Sequence, residues 1–362
     1  MARLSRTQQQ LRTRANVLAA ARDEFAERGF RETRIDDIAD RAELTRGAVY
    51  SNFPSKRALY FAVLTDLVER EEPAATRAEP GRTPAAALGA FARAWVSRLP
   101  LTAGDDGASR LRAGALAEAI TDDRTRLPFA QLTHLNAILL ATALEGLQGR
   151  APVRRQVRIA EITLTMLHGV DHIAVSAPGF GDPFDVIRVC EELARLDLAD
   201  VWLPAHLPYA APAQPEDRGW TPPEAVDTVR GEPAWLGADG TVAILGTHRL
   251  GAAEEALRAA RPGDAITAVV VTSDAGELMP LARWASLDFA ICLRRAFDPT
   301  NWPRLRVVLD DHGAVATAAG VSDLSDETEV CVRVREGRVV ARAEGRGAAH
   351  AATSYSATPK PV

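Results

Sequence analysis

The chain has few of the residues on which redox, zinc and membrane functions depend. Its 362 residues include only three cysteines, Cys190, Cys292 and Cys331, and none of them belongs to a CxxC pair or has a zinc-ligand spacing. Single cysteines so far apart are typical of reduced, buried thiols in a cytosolic protein. No run approaches the roughly 18 consecutive apolar residues of a membrane-spanning helix, and the N-terminus is polar and arginine-rich. Neither a membrane span nor a secretory signal is predicted.

Motifs of catalysis are also missing. No glycine-rich phosphate loop, catalytic triad or pair of catalytic carboxylates stands out in the sequence. His168 and His172 are four residues apart on one predicted helix, a spacing that can chelate a metal, but no third ligand is in register with them. The sequence therefore predicts no enzyme activity, no cofactor and no metal site.

Charge is distributed unevenly along the chain. The 43 basic and 48 acidic residues give a net charge of −5, which taken alone argues against nucleic acid as a partner. Residues 1–70 nevertheless hold 13 basic and 10 acidic side chains, so this segment carries +3 and the remainder −8. A basic end on an acidic body orients a protein on DNA through that end. Residues 1–10 are predicted as a basic arm that follows phosphates or the minor groove, with an ordinary disordered tail as the alternative.

Residues 33–53 have the pattern of two short helices joined by a tight turn. In the first helix the apolar residues recur at helical spacing, at Ile35, Ile38, Ala39 and Ala42. We expect Thr33 and Asp36 to form a capping box at its start. Thr45 is the expected N-cap of the second helix, which would bury Val49 and Phe53 and present its other side chains outward. This pattern is typical of a helix-turn-helix on DNA, with the motif at about 34–53.

The flanking segments complete a three-helix unit. Upstream, a core-facing helix from Leu11 ends at Gly29, which suits a left-handed C′ position. Downstream, a further helix begins with Ser55 as N-cap and two cations, Lys56 and Arg57, in its first turn, where the helix dipole disfavours positive charge. A DNA phosphate bound by the free N–H groups and Lys56 would resolve this conflict; two solvated cations are the alternative.

Residues 45–56 read TRGAVYSNFPSK, and the pair Ile38-Ala39 precedes them. Because of these residues, the segment 11–71 resembles the DNA-binding domain of the tetracycline-repressor (TetR) family of bacterial regulators. Glu43 stands where many members carry the turn glycine. Arg46 is the side chain best suited to a guanine edge, while Tyr50 and Lys56 suit phosphates. The DNA-binding residues that we predict are Thr33, Thr45, Arg46, Gly47, Tyr50, Ser51, Asn52 and Lys56.

Residues 80–200 are helical in pattern throughout, with a stripe at Leu88, Phe91, Trp95 and Leu99. The resemblance implies that the last two helices, predicted at 153–175 and 183–198, pair with those of a second copy in a four-helix dimer interface. A homodimer also follows from the DNA side, because one recognition helix reads only a half-site. The resemblance further implies a small-molecule pocket in this domain. Its candidate polar residues, each of which could instead be an ordinary core or interface residue, are Trp95, His134, Asn136 and His168.

The chain continues beyond residue 200, where TetR relatives would stop. A linker at 201–233 contains seven prolines, and the pattern then changes to strands at 241–246, 265–271, 288–293, 305–309, 328–334 and 338–342. A helix is predicted at 252–260, a hairpin turn at Glu336-Gly337, and a flexible tail at 348–362. Strands alternating with helices predict an α/β domain at 234–347.

The segment 304–345 resembles the end of thioredoxin-like domains of the peroxiredoxin type and the catalytically silent thioredoxin-like tail of aromatic-ring flavin hydroxylases. Those folds place a redox cysteine after the first core strand, but the corresponding segment of this chain, Gly246–Gly251, contains no cysteine. They also place a cis-proline before a late strand, where this chain has Asp326–Glu329 without proline. We therefore expect a scaffold without redox chemistry.

The sequence therefore predicts a multidomain protein. Its N-terminal two-thirds are all-α and consist of a three-helix DNA-binding domain and a helical regulatory and dimerisation domain. An α/β thioredoxin-like domain follows them. Its predicted function is that of a cytoplasmic, nucleoid-associated bacterial transcriptional regulator, usually a repressor in such families. It would bind a palindromic operator in double-stranded DNA as a homodimer and be released by a small-molecule effector. The alternative is a redox-sensing regulator, or a redox or flavoenzyme accessory protein, that acts through the C-terminal domain.

Overall fold

The computed structural model of the chain describes residues 5–71, 79–100, 107, 109, 111–112, 123–149 and 153–356. Helices make up the first half of these residues, and a mixed sheet with flanking helices makes up the second half, so the predicted order of an all-α part followed by an α/β part is confirmed. Among the described helices, Asp123–Gly146 is long and apolar enough to cross a membrane, but 61% of its most apolar window is buried inside the protein, as in a core helix.

Four helices form the N-terminal unit: α1 (Arg6–Glu32), α2 (Ile35–Arg41), α3 (Arg46–Tyr50) and α4 (Lys56–Glu71). Ser5 and Gln8 form a capping box at the start of α1, so the helix begins inside the segment predicted as an arm. Gly29 interrupts the helical backbone with φ 77° and ψ 172°. Its φ is positive as predicted, but its ψ differs from that of a left-handed C′ residue, and α1 continues beyond it to Glu32. Phe25 and Tyr60 pack edge to face with ring centroids 5.2 Å apart and close the unit.

The helical part continues with α5 (Pro84–Val96), α6 (Asp123–Gly146), α7 (Val157–Ser176) and α8 (Pro183–Leu193). The predicted apolar stripe of α5 is buried, and Leu99 just beyond the helix is buried with it. Helix α7 begins four residues later than predicted and α8 ends earlier, at Leu193. Asp182 caps α8 by accepting a hydrogen bond from the backbone N–H of Phe184, directly before a proline at the first helical position.

The C-terminal part contains eight strands, four further α-helices and two short 3₁₀ helices, Leu207–Tyr209 and Pro299–Asn301. The strands are β1 (Gln214–Gly219), β2 (Val226–Asp227), β3 (Glu232–Pro233), β4 (Gly240–Gly246), β5 (Ala265–Val271), β6 (Leu305–Leu309), β7 (Glu329–Arg335) and β8 (Arg338–Glu344). The helices are α9 (Ala252–Ala259), α10 (Ala275–Ala296), α11 (Ala314–Ala318) and α12 (Ala348–Ser354). Six strands form one sheet in the order β1-β8-β7-β4-β5-β6, in which β4, β5 and β6 are parallel and the other pairs are antiparallel.

One predicted strand is wrong: residues 288–293 lie inside α10. The apolar run Asp288–Leu293 fits a buried strand or a buried helix equally well when it is considered alone. The buried residues that precede it settle the choice, because Leu278, Leu281, Ala282 and Ala285 recur at helical spacing on one face. The missed helix has 22 residues and is the longest of the α/β part.

The predicted linker and tail are also structured. Within the segment 201–233, strand β1 pairs antiparallel with β8 and so completes one edge of the main sheet. Within the segment 348–362, helix α12 is packed on the protein through its buried residues Ala348, Ala349, Ala352 and Thr353. Alanine is the best helix former, and the burial of these four residues stabilises the helix against the protein. Residues 1–4 and 357–362 lie outside the described residues.

Helix α10 belongs to the α/β part by sequence but lies among the helices of the N-terminal part. The indole of Trp284 stacks between Phe61 of α4 and Phe129 of α6, with centroid distances of 5.9 and 6.3 Å. Phe289 packs against Phe91 of α5 at 5.6 Å, and the amide of Asn136 donates a hydrogen bond to the carbonyl of Ala285 at 3.2 Å. One apolar core therefore continues from the N-terminal unit into the sheet.

Buried ion pairs reinforce this junction. The guanidinium of Arg98 donates two hydrogen bonds to the carboxylate of Asp288, at 2.8 and 3.2 Å, and both side chains are more than nine-tenths buried. Burial works against the charge of Arg98, but the carboxylate of Asp288 outweighs this effect and raises the pKa of the guanidinium. A second contact between the parts joins Arg258 of α9 to Glu145 of α6 at 2.6 Å.

We predict that Asp288→Ala lowers the free energy of unfolding by about 3–5 kcal/mol, because it leaves the Arg98 charge buried without its partner. The matched control is Asp311→Ala, which breaks a pair with Arg283 whose side chains are both about 40% exposed and which should cost no more than about 1 kcal/mol. Urea unfolding followed by tryptophan fluorescence measures both changes. Equal losses in the two variants would show that the Arg98–Asp288 pair does not hold the two parts together.

Candidate DNA-binding surface

The turn between α2 and α3 is a Schellman motif. The N–H of Leu44 donates to the carbonyl of Ala39 at 2.9 Å, and the N–H of Glu43 donates to the carbonyl of Asp40 at 3.1 Å. This motif requires a left-handed residue at its C′ position, which Glu43 occupies with φ 54°. The turn therefore forms without a glycine at this position, at the steric cost of a residue that carries a side chain in the left-handed region.

Helix α3 starts at a well-formed cap and presents a polar face. The hydroxyl of Thr45 accepts a hydrogen bond from the N–H of Ala48 at 3.2 Å, as the sequence predicted. Val49 and Phe53 are buried in the three-helix core. The exposed side of the helix and its C-terminal turn consists of Thr45, Arg46, Gly47, Tyr50 and Ser51, with Asn52 half-buried beside them.

Arg46 is the most prominent cation of this face. Its side chain is 61% exposed, its guanidinium lies 5.5 Å from the ring centroid of Tyr50, and its nearest carboxylate oxygen belongs to Asp36 at 3.5 Å. An exposed pair of this length is weak, so the guanidinium can turn to another acceptor at little cost. At Gly47, the nearest atom that an added Cβ would meet is the hydroxyl oxygen of Thr45 at 3.9 Å, so the backbone is bare there.

Two polar residues at the end of α3 use their donors internally. Ser51 Oγ and Asn52 Nδ2 each donate to the carbonyl of Ala48, at 2.9 Å in both cases. These bonds fix the two side chains at the end of the helix. An acceptor from DNA would have to compete with the Ala48 carbonyl for both donors.

Thr33 differs from its prediction. Its side chain is 1% exposed, and its hydroxyl donates to the carbonyl of Gly29 at 2.7 Å, so it neither caps α2 nor faces outward. The N-cap of α2 is Arg34, whose N–H donates to the carboxylate of Asp37 at 3.4 Å. The predicted Thr33–Asp36 box is thus wrong by one residue, because both aspartates are available in the first turn and only Asp37 points back to the cap.

Lys56 lies at the start of α4, where Ser55 Oγ accepts from the N–H of Ala58 at 3.0 Å. The ammonium group donates to the carbonyls of Arg31 and Thr33, at 3.2 and 3.0 Å, and sits 4.6 Å from the ring centroid of Phe30. A cation at the carboxyl end of α1 is favourable with respect to the dipole of that helix. Lys56 therefore joins the end of α1 to the start of α4, a role that its sequence position alone does not reveal.

The predicted effector residues are only partly brought together. Trp95, Asn136 and His168 line a common cavity with Trp284 and Phe289, whereas His134 lies apart, with its Nδ1 2.9 Å from the carboxylate of Glu161. The cavity measures about 10 Å³. A single water molecule needs about 10–15 Å³ and a small-molecule site typically several hundred. In this conformation α10 fills the interior around these residues.

The three thiols are buried and held protonated. Burial raises the pKa of Cys190 to about 12 and that of Cys292 to about 11, and it also raises the pKa of Cys331. Since the thiolate is the reactive form, none of the three is suited to redox sensing in this conformation. Among the described residues, no group of three or more His, Cys, Asp or Glu side chains is placed to hold a metal ion.

At the end of β4, within the segment Gly246–Gly251 that contains no cysteine, begins a hydroxyl–carboxylate cluster. Asp326 accepts hydrogen bonds from the hydroxyls of Thr247, Thr272 and Ser273, at 2.8, 2.6 and 3.1 Å. Burial opposes the charge of this carboxylate, but the hydroxyl donors outweigh it and lower the pKa of Asp326. The cluster ties the ends of β4 and β5 to the segment that leads into β7.

Glu43→Gly should raise the free energy of unfolding by about 0.5–1 kcal/mol, because glycine removes the left-handed strain while losing more chain entropy on folding. Thermal or urea unfolding measures the change. The control is Ala42→Gly, at a right-handed position with φ −79°, where glycine should destabilise. Destabilisation by both substitutions would contradict the assignment of strain to Glu43.

Comparison with known proteins places the N-terminal unit. Residues 17–63 match the family model of bacterial regulatory proteins of the tetR family. The chain is 40% identical over 67 residues to the HTH-type transcriptional regulator TtgR of Pseudomonas putida, a match that covers 18% of this chain and 32% of that protein. It is 42% identical over 53 residues to the HTH-type transcriptional regulator RutR of Escherichia coli, covering 15% and 25% of the two proteins.

The matched segment thus spans about a third or less of these relatives' length. A crystal structure of a TetR transcriptional regulator from Rhodococcus sp. RHA1 aligns with 52% of this chain and 99% of its own, at 20% identity and a TM-score of 0.35. The cap, the turn and the outward face of α3 are the features that lie inside the matched residues. Residues 17–63 are therefore a tetR-type helix-turn-helix domain.

Proposed function

We propose that the protein is a DNA-binding transcriptional regulator, without enzymatic activity, that represses its targets in the bacterial cytoplasm. The observation that carries this proposal is the outward face of α3, which presents Arg46, the bare backbone at Gly47 and Tyr50 from a helix anchored by Val49 and Phe53. A helix of this kind fits the major groove and offers donors to base edges. Titration of the full chain with DNA flanking its own gene, at several salt concentrations, tests it; binding no tighter than to random DNA would refute it.

Within this surface we propose a division of roles. Arg46 reads a guanine edge, with Thr45, Ser51 and Asn52 at bases or adjacent phosphates, whereas Tyr50 and the N-terminus of α4 contact phosphates. Lys56 adds positive charge at that end while it holds the carbonyls of Arg31 and Thr33. Thr33 drops out of the predicted set, because its side chain is buried.

We predict that Arg46→Ala costs about 1–3 kcal/mol on the operator and relaxes specificity at one base position. Lys56→Ala should instead weaken binding to all sequences and reduce the salt slope by about one. Fluorescence anisotropy against operator and random DNA separates the two effects, with Arg338→Ala, which removes a half-exposed arginine of β8 outside both proposed surfaces, as the control for lost charge. Equal losses on operator and random DNA for both α3 and α4 variants would contradict the division.

We further propose a homodimer built on α7 and α8. Apolar side chains are exposed along these helices and at their ends, at Ile162, Ile173, Val175, Phe180, Phe184 and Val189. Phe180 and Phe184 are 76% and 69% exposed, which is unusual for phenylalanine on a surface without a partner. Two copies related by a two-fold axis would cover this face and set two recognition helices for a palindromic operator.

Phe184→Glu should weaken the dimer at least about tenfold, since it places a charge in the centre of an apolar interface. Tyr209→Glu serves as the control, because Tyr209 is 89% exposed outside these helices. Sedimentation velocity over a range of concentrations measures both. A wild-type monomer, or a Phe184→Glu variant that remains as dimeric as the control, would refute this interface.

For the α/β part we propose a thioredoxin-like scaffold without redox chemistry. The parallel pair β4–β5, the antiparallel pair β4–β7, the β7–β8 hairpin and the closing helix α12 support this proposal. Its role is structural and regulatory, because α10 completes the core under α4 and α5. An effector would then release the protein from DNA by shifting the equilibrium between two arrangements of the helical and α/β parts. Only an effector that binds one arrangement more tightly than the other produces such a shift.

A further inference from the structure

An open cleft separates the DNA-binding unit from the N-terminal half of α10. Its volume is about 760 Å³, within the range of small-molecule sites. Helix α1, the α3–α4 turn and α4 form one wall, and α10 with the loop after β6 forms the other. The apolar surface of the cleft comes from both walls, from Leu18, Phe53, Ala58, Ala62, Met279 and Pro280. The cleft thus has room for a small-molecule ligand, whereas the 10 Å³ cavity around Trp95 does not.

Most charges in the cleft are already neutralised by a partner. Asp66 forms an ion pair with Arg70 at 2.7 Å, and Asp311 forms one with Arg283. Glu69 lines the cleft near the C-terminal end of α4, eleven residues and about 16 Å along the helix beyond Ala58 in its first turn. Arg14 lies at the opposite end of the cleft, beside Asn52 and Phe53, which precede α4.

Arg14 has an apolar platform but no anionic partner. Its guanidinium lies 4.2 Å from the ring centroid of Phe53 and donates one hydrogen bond to the carbonyl of Asn52 at 3.1 Å. Among the described residues, no carboxylate forms an ion pair with it. The side chain of Arg14 is exposed at the mouth of the cleft. Partial desolvation and the like charge of Arg283 lower the pKa of Arg14. An anion bound there would offset the repulsion from Arg283 and could accept two hydrogen bonds from the planar group.

We propose that this cleft is a binding site for an amphipathic carboxylate, whose carboxylate group accepts hydrogen bonds from Arg14 and whose apolar body covers Phe53, Ala62 and Met279. The apolar surface favours a ligand with a hydrocarbon or aromatic body. Because Asp66 and Asp311 are already paired with arginines, Arg14 is the group that favours a negative charge on the ligand. A neutral ligand of the same shape would leave the guanidinium uncompensated.

The position of the cleft gives the ligand a route to DNA binding, a consequence that rests on the proposed function. Its two walls touch at the α3–α4 turn, where an added Cβ on Gly276 would lie 3.1 Å from Cγ of Pro54. A ligand between the walls therefore contacts the turn that follows the recognition helix. If it binds more tightly at one spacing of the walls than at another, it moves the DNA-binding unit relative to α10.

The test uses the full chain and two probes, 2-naphthoate and octanoate, with 2-naphthamide and octanamide as neutral controls. Calorimetric titration measures binding to the wild type and to three variants. Arg14→Gln removes the charge, and Ala62→Phe fills the cleft from α4. Arg22→Gln removes a comparable arginine of α1 that pairs with Asp23 and does not line the cleft.

We expect at least one carboxylate probe to bind the wild type and Arg22→Gln alike, and its affinity to fall about tenfold or more in Arg14→Gln and in Ala62→Phe. The matching amide should bind at least about tenfold more weakly than the carboxylate. Failure of both carboxylates to bind at millimolar concentration would overturn the proposal. So would equal binding to wild type and Arg14→Gln, or equal binding of acid and amide.

Anisotropy with operator DNA, measured without and with the bound probe, keeps the two proposals separate. If the probe binds through Arg14 but the free protein has no specific DNA affinity, the cleft assignment stands and the proposed regulator function fails. If the protein binds its operator but no carboxylate binds the cleft, the function stands and the ligand site is refuted.

Discussion

The stacking of Trp284 between Phe61 and Phe129 is the contact on which the arrangement of the whole chain depends. A buried tryptophan removes about 150–250 Å² from water, worth several kcal/mol at about 25 cal/mol per Å². The two phenylalanines belong to α4 and α6, and the indole comes from a helix of the α/β part. Neither part therefore completes its core with its own residues, and the α/β part is a structural component of the whole chain rather than a separate appendage.

Ion pairs set the register of this junction. Burying Arg98 and Asp288 costs desolvation energy that their attraction barely returns, so the pair contributes more to placement than to net stability. Its bidentate geometry fixes where Asp288 lies beside the end of α5, and thus how far α10 slides past α4. Arg258 and Glu145 fix α9 against α6 in the same manner. The position of the DNA-binding unit relative to the sheet follows from these contacts.

Sequence reasoning succeeded where the cause is local and failed where burial depends on a distant partner. The helix-turn-helix and the strands at 265–271 and 305–309 follow from caps, spacing and β-branched runs, and they have the predicted bounds or nearly so. Residues 288–293 were misassigned because a segment buried on all sides has no amphipathic period. Trp95, Asn136 and His168 do converge, as predicted for a pocket, but no local signal indicated that α10 would fill the space between them.

The filled interior constrains where an effector can act. Opening a pocket beside Trp95 requires α10 to withdraw, which exposes the stacked Trp284 at a cost of several kcal/mol. A ligand that must first populate such a state loses about tenfold in apparent affinity for each 1.4 kcal/mol of this cost. The cleft beside Arg14 is already open and borders the α3–α4 turn, so a ligand there incurs no comparable cost. On energetic grounds, then, the ligand site that we propose is better placed at the boundary of the two parts than inside the helical one.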